Sequence, residues 1–599
     1  TATSLTSIDT IDGGAGNGDI MQTVLASPGT YTDGNFTNVT NMEIFQGDAD
    51  SEVLLTIGAQ FQEAGFNQVT FAADSASSLT VSSDFTNALT VDLSTYAESE
   101  KVDGSASAAA LTIAADDHDI ESGDTIKGGT STGDVLKVTA TGAIHGATGA
   151  AIDLMTGIET ITMVYAANKH GSITMGGNDT QIAEGKTLTV NAAALTETDE
   201  SFVFVGTTSE TDGFLNITGS AGADSIVGAD AADTISAGTG ADTITGNKGA
   251  DSISGGAGAD DFIIEAVEDS TSNSFDTITD WETASDELKI TIDHSSTNTA
   301  INANLAVLTA GAGVTAVQNN LSGKVGEAIY DTTNSKIYVN VNADNLVTTQ
   351  DFAVKVNAHA TAANTLADGD IDWVLKTGSA NDTILSVGGE DTVYAGSGDD
   401  SVTGGAGADV LYGEAGTDTL IGGTGIDSIY GGLGDDTINL DTTTDDDVVY
   451  LETLKTLNGS DTVGTFTAGN GGDQVAFNWG VGTGAVSQTD LGINEGSTGT
   501  KVLIMTGDGT AGANTGLIIW NADCANEAAV EDAAFKLDDL DNGESVYFVQ
   551  SVDVSEAEGA NIWHVLLGAN VGATAATLLA TLSDVAVDEL TAQNFTDFV

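Results

Sequence analysis

The chain has 599 residues, 89 of them acidic and 14 basic, for a net charge of −75. All 14 basic residues are lysine, so nucleic acid is not an expected partner: phosphate contacts draw on both Lys and Arg. No run of 18 apolar residues exists to span a bilayer, and the single cysteine, Cys524, allows no intrachain disulfide and reads as a small buried side chain. A hydrophobic content of 40%, rich in β-branched residues, favours folded β-structure over charged disorder. With Pro28 the only proline, the turning falls to glycine and Asx residues.

In chain order, TATSLTSIDT opens without the basic and apolar regions of a signal peptide, which suits either a processed end or export through a C-terminal signal. Residues 1–115 and 116–218 read as two β-rich domains related by duplication. IDTIDGGAGNGDIM (8–21) matches GDTIKGGTSTGDVL (123–136), and NVTNMEIF (38–45) resembles DLMTGIETI (153–161), a repeat of about 115 residues. Between these marks run strand-like segments such as EVLLTI, QVTFAA, SLTVSS and FVFVGT; helix signals are scarce. Either β-sandwiches or irregular β-solenoids fit that pattern.

Next come two blocks, 219–263 and 378–440, each followed by a β-rich flank, 264–377 and 441–599. In the blocks an aspartate recurs every nine residues: Asp224, Asp233, Asp242, Asp251 and Asp260, then Asp382, Asp391, Asp400, Asp409, Asp418, Asp427 and Asp436. Two residues after each stands an apolar side chain, from Ile226 to Phe262 and from Ile384 to Ile438, and glycines crowd the positions before it, as in GGAGADDFI (255–263) and GGTGIDSIY (422–430). The unit G-G-x-G-x-D-x-U-x, with U apolar, is that of a calcium-binding parallel β-helix. The x-U-x triplet makes a very short strand with only U pointing inward. The other six residues make the turn, where glycines supply positive φ. Two units close one coil, so aspartates of successive coils stack. Their oxygens and the turn carbonyls form the all-oxygen shell that Ca²⁺ prefers. A flexible Gly/Asp linker would have no reason to keep an apolar residue in register twelve times. The turns GADAADTIS (228–236) and SVGGEDTVY (386–394) depart from the pattern.

These two blocks resemble the repeats-in-toxin (RTX) family over about a fifth of the chain. FDTITDWETASDELKI (275–290) is similar to the strand pair that follows the roll in that family, and SDTVGTF with GGDQVAF (460–477) echoes it. The resemblance implies a β-roll fold, calcium at the twelve aspartates, and type I secretion read from an uncleaved C-terminal signal such as ELTAQNFTDFV (589–599). LVTTQDF (346–352) aligns with ELTAQNF (589–595), each closing its module. The threonine-rich modular β-repetition also resembles bacterial surface-layer proteins in style.

Other motifs carry less. Asn340, Asn342, Asp344 and Asp351 have calcium-loop spacing, but two ligands are neutral and Asn345 replaces the turn glycine. Gly129-Thr-Ser131-Thr-Gly133 satisfies the G-x-S-x-G of hydrolases, yet its duplicate at 14–18 has no serine and no helix signal follows. None of the six histidines has H-E-x-x-H spacing. An enzyme is therefore not expected. The expected fold is all-β, with two calcium-binding parallel β-rolls plus sandwich or irregular solenoid domains. The expected function is a secreted, extracellular surface-layer protein, polymerising with itself into a two-dimensional lattice and held to cell-surface polysaccharide or lipopolysaccharide through calcium. An RTX adhesin or filament subunit is the alternative, and a secreted hydrolase comes third. If each ion bridges turns one coil apart, the rolls hold about eight calcium ions or more.

Overall fold

The computed structural model describes most of residues 10–293 and 370–478, with short gaps, and separate strands within 301–358 and 487–598. The Asn340–Asp351 loop, Cys524 and most of the C-terminal segment lie outside the described residues. The chain forms two compact units. One comprises Thr1–Leu288 with Asn334–Ile337 and Thr348–Thr365; the other comprises Lys289–Thr333, Tyr338–Val347 and Leu366–Val599.

In the first unit the strands pair in parallel, coil upon coil. Phe45 pairs with Val69, Val69 with Val91, Val91 with Ile113, and Ile113 with Leu136, and all five are buried. The column continues through Ile161, Val190 and Ile217 into Ile235, Ile253 and Ile278. Strands that close sandwiches are antiparallel, so this all-parallel stack decides the open alternative in favour of a solenoid. The second face of the coils is a six-stranded parallel sheet up to Leu154–Thr156. From Ala151–Ile152 it is a new sheet that runs through Gly171–Met175, Phe202–Val205 and Ser225–Val227 to Asp261–Ile264. The first nonapeptide block is thus a narrow stretch of the same solenoid, its strands hydrogen-bonded directly onto the N-terminal coils. Coil length is 24 residues at Phe45→Val69 and 29 at Ile161→Val190, and drops to 18 at Ile217→Ile235.

The wider N-terminal coils need filling, and aromatic side chains fill them. The short helix Ala59–Glu63 turns Phe61 inward, and the Asp33 carboxylate fixes its start by accepting the amides of Gly58, Gln60 and Phe61. Phe61 stacks on Phe66 at 4.3 Å between ring centroids and meets Phe36 edge-on at 4.9 Å. The sequence duplication has matching contacts. The Glu43 carboxylate accepts the Asp19 amide and the Glu159 carboxylate accepts the Asp134 amide, each at 2.8 Å.

In the second unit Ile301–Leu308 lies parallel to Val325–Asp331 and to Thr383–Ser386, and the second block stacks from there through Thr437–Asn439 to Asp461–Gly464. An antiparallel run, Ser545–Ser551, Ala560–Gly568 and Gly572–Leu582, then returns to pair Ala580 with Asp461. Each of the aligned segments leads into a strand. Phe352–Ala358 lies parallel to Asp276–Trp281 beyond block one, and Phe595–Phe598 lies parallel to Gln474–Asn478 beyond block two. Each covers an edge that would otherwise expose unpaired backbone groups.

The aromatic plug should hold the N-terminal coils without any metal. Phe61→Ala is expected to cost about 3–5 kcal/mol, read by urea unfolding with circular dichroism in chelator. A loss below about 1 kcal/mol would show that the coils do not depend on it.

Candidate metal centre

All twelve repeat aspartates are buried, none more than 3% exposed. Each sits at the end of its turn, where the chain enters a strand of three to six residues. In eleven of the twelve one oxygen is used the same way: Oδ1 accepts a backbone amide from the preceding coil. In block one Asp242 accepts from Asp224, Asp260 from Asp242 and Asp251 from Asp233, at 2.8, 3.0 and 2.7 Å. In block two one column runs Asp382, Asp400, Asp418, Asp436 and the other Asp391, Asp409, Asp427, with 2.7–2.9 Å contacts. Asp224, Asp233 and Asp391 begin their columns by accepting the amides of Phe202, Leu215 and Trp373. The carboxylates therefore stack as a ladder of backbone acceptors, which sets one oxygen of each before any ion is considered.

The second oxygen separates two kinds of turn. Oδ2 of Asp242, Asp260, Asp400, Asp409 and Asp418 is buried with no hydrogen-bond donor among the described residues. In each case the residue four positions earlier is left-handed: Gly238, Gly256, Gly396, Gly405 and Glu414, the last at φ 68°. At Asp224 and Asp233 that position holds Ser220 and Ala229, neither left-handed, and the amide donates to Oδ2 instead. At Asp391, in the imperfect SVGGED turn, the Ser386 hydroxyl donates to Oδ2. The positive-φ position is thus what turns the backbone away and leaves a buried anionic oxygen unsatisfied. Close approach explains another glycine: a Cβ on Gly416 would lie 1.5 Å from the Gly398 carbonyl oxygen.

Burial raises the proton affinity of these groups. Desolvation is the main cause at every shifted site, with neighbouring carboxylates adding to it. It pushes Asp242 and Asp418 up to about 7, Asp391 to about 8 and Asp409 to about 6.

The ladder also runs past the repeats, which the nine-residue count missed. Asp260 donates its amide to Asp286, Asp251 to Asp276, Asp427 to Asp447, Asp436 to Asp461 and Asp447 to Asp473. All five acceptors are buried. The signal was present as D-x-U at stretched spacing: DTI at 276, DEL at 286, DVV at 447, DTV at 461 and DQV at 473. The G-x-S-x-G segment lies in a turn, where Ser131 Oγ accepts the Gly133 amide and a strand, Val135–Thr139, follows.

Among the described residues no three His, Cys, Asp or Glu side chains converge on one point. An ion in these turns would be held by one or two carboxylates together with turn carbonyls. That donor set is all oxygen and includes a desolvated anion without a partner, so it fits a hard divalent cation such as Ca²⁺. The family model of the RTX calcium-binding nonapeptide repeat matches residues 216–244, 227–262, 376–411, 386–420 and 412–449. No curated protein matches the chain.

Two outcomes are expected. Asp409→Asn should raise the calcium midpoint of folding on the order of tenfold, and Asp233→Asn by much less, because Asp233 already has both oxygens bonded; equal shifts in a circular dichroism titration would refute this. The pH dependence has opposite signs with and without calcium. Without it, a carboxyl whose folded pKa lies above its unfolded value of 3.8 costs nothing below that value. It costs progressively more as the pH rises towards about 7 or 8, so β-structure in chelator should be greater near pH 5 than near pH 8. With calcium, which needs the carboxylates ionised, the midpoint should rise as the pH falls over the same range.

Proposed function

Both blocks are RTX calcium-binding nonapeptide repeats, the mark of calcium-binding proteins exported by type I secretion, and from that premise we propose that this chain is a structural protein of a bacterial surface layer, folded and assembled by calcium. The observation that carries this reading is the place of the first block in the fold. Its turns are coils of the solenoid itself, paired strand by strand with the N-terminal half through Ile217 and Ile235. Calcium held there stiffens the stack itself. Among the described residues no helix is long and apolar enough to cross a membrane.

Oδ2 of Asp242, Asp260, Asp400, Asp409 and Asp418, with carbonyls of the adjacent turns, would hold the ions. A divalent cation there neutralises buried charge and ties one coil to the next. About eight ions would reduce the charge from −75 to about −59. Like charge of that size opposes packing of one copy against another, and 14 lysines cannot offset it. Further divalent ions between copies supply the missing countercharge and can also join the protein to an acidic cell-surface glycan.

Calcium is expected to drive ordered polymerisation at concentrations above those that fold the rolls, and sodium at equal ionic strength is not. Light scattering and electron microscopy across a calcium series check this. A two-dimensional lattice supports the surface-layer reading and fibres favour a filament subunit. A protein that stays monomeric in about 10 mM Ca²⁺, above the range of extracellular sites, rules out both.

A further inference from the structure

Every Asp and Glu of block two, residues 378–440, lies outside its strands. The carboxylates there are confined to the turns, and the two sheet faces between the turns are free of them. One face carries a column of tyrosines. Tyr394, Tyr412, Tyr430 and Tyr450 stand in parallel register, with ring centroids 4.8, 4.5 and 4.1 Å apart. Lys376 heads the column, its ammonium 5.9 Å from the Tyr394 ring centroid. The column beside it, from Val374 to Val448, holds only valine, threonine and serine. Across both columns Lys376 is the single charge, in a chain with 89 acidic and 14 basic residues.

The other sheet of block two presents Leu385, Thr403 and Ile421 in one outward column, beside a column of threonine and serine from Thr383 to Thr437. Leu385 and Ile421 are 39% and 37% exposed. The roll itself does not demand the tyrosines. At the same strand position block one has Val227, Thr245 and Ile263 in register, and its coils close without an aromatic there. Each face of block two sets a column of bulky side chains beside a column of small ones. Both repeat at the strand spacing of about 4.8 Å, so a ridge on one face fits the furrow of the other rung by rung. The tyrosine ring faces are taken up by one another. The ridge therefore offers ring edges and hydroxyls, and no platform on which a sugar could stack.

We propose that the tyrosine face of block two docks on the Leu385–Ile421 face of a second copy of this chain. Charge selects that occupant. Copies of a chain at −75 repel wherever their acidic turns meet, and these faces are where they can touch without bringing carboxylates together. Tyrosine is enriched at protein interfaces, and rings already stacked lose little side-chain freedom on docking. The two faces belong to different sheets, so the contact is heterologous and one contact repeated builds an open polymer. Each face spans roughly 20 Å by 10 Å from strand spacing and rise, well short of the about 800 Å² that each partner buries in a stable complex. It acts together with calcium bridges between the turns and sets which surfaces those bridges bring together. The inference rests on the reading that the chain assembles with itself.

The test uses the full chain in calcium. Tyr412→Glu and Ile421→Glu each place a like charge in one of the two faces and leave the turns untouched. Both are expected to keep the parent's calcium midpoint of folding by circular dichroism, and to need on the order of tenfold more protein to polymerise. Mixed in equal amounts at a concentration where each alone is monomeric, they retain one intact face apiece and are expected to stop at two copies by sedimentation. Variants that polymerise like the parent, or a mixture that stays monomeric, overturn the proposal. So does normal polymerisation of Ile421→Glu alone, the sign of tyrosine faces meeting each other. Should a variant shift the folding midpoint, hydroxyl-radical footprinting of the parent decides instead. Tyr412 and Tyr430 on one face, and Leu385 and Ile421 on the other, are expected to lose reactivity between folded monomer and polymer; unchanged reactivity of either face overturns the contact. A parent that stays monomeric in calcium is a distinct result, ending the surface-layer reading and this contact with it.

Discussion

The structure depends on one repeated contact: a buried aspartate oxygen accepting the amide of the aspartate one coil earlier. Each such contact satisfies a backbone donor that the tight turn would otherwise bury unpaired. It also carries a whole anion into the interior, where an uncompensated charge costs several kcal/mol. The coil cannot have the amide satisfied without accepting the anion, and the remaining oxygen then determines whether the turn is complete or needs a cation.

That choice is made by backbone conformation four residues before the aspartate. Where Gly405 or Gly256 is left-handed, the amide points away and Oδ2 is left bare. Where Ser220 or Ala229 is not, the amide closes onto Oδ2 and the turn is finished from within the protein. Those finished turns, at Asp224 and Asp233, open block one. There the stack meets coils of different construction, and turns satisfied by their own backbone make a calcium-independent seam. Upstream, coils are filled by phenylalanine; downstream, the narrow coils have one inward apolar side chain per turn and leave more to the ladder.

The outer surface of block two shows the same register in another form. Tyr394, Tyr412, Tyr430 and Tyr450 follow the inward residue of their strands and stack face to face, with centroids 4.8, 4.5 and 4.1 Å apart. Parallel strands in register place identical side chains one above another, so a residue repeated once per coil, after 18, 18 and then 20 positions, becomes a continuous column. The tyrosines pack against one another along the coil axis in the way the aspartates stack within the turns.

The nine-residue period and its D-x-U core determined, from sequence alone, that the blocks are parallel rolls with stacked aspartates, because inward side chain, turn and ligand are all local to one unit. The tertiary structure decided what is not local. Threonine- and valine-rich alternation at 53–57 or 89–92 is equally compatible with a sandwich, and only the pairing of Val69 with Val91 and Val91 with Ile113 made it a solenoid. Asp276, Asp286, Asp447, Asp461 and Asp473 escaped a fixed count because the intervening turns lengthen, while the coil geometry brings them back to the same column. Nor does any local pattern say which aspartates keep an unsatisfied oxygen. That follows from the sign of φ at a neighbouring turn residue and from the strand stacked one coil away, and both are properties of the assembled fold.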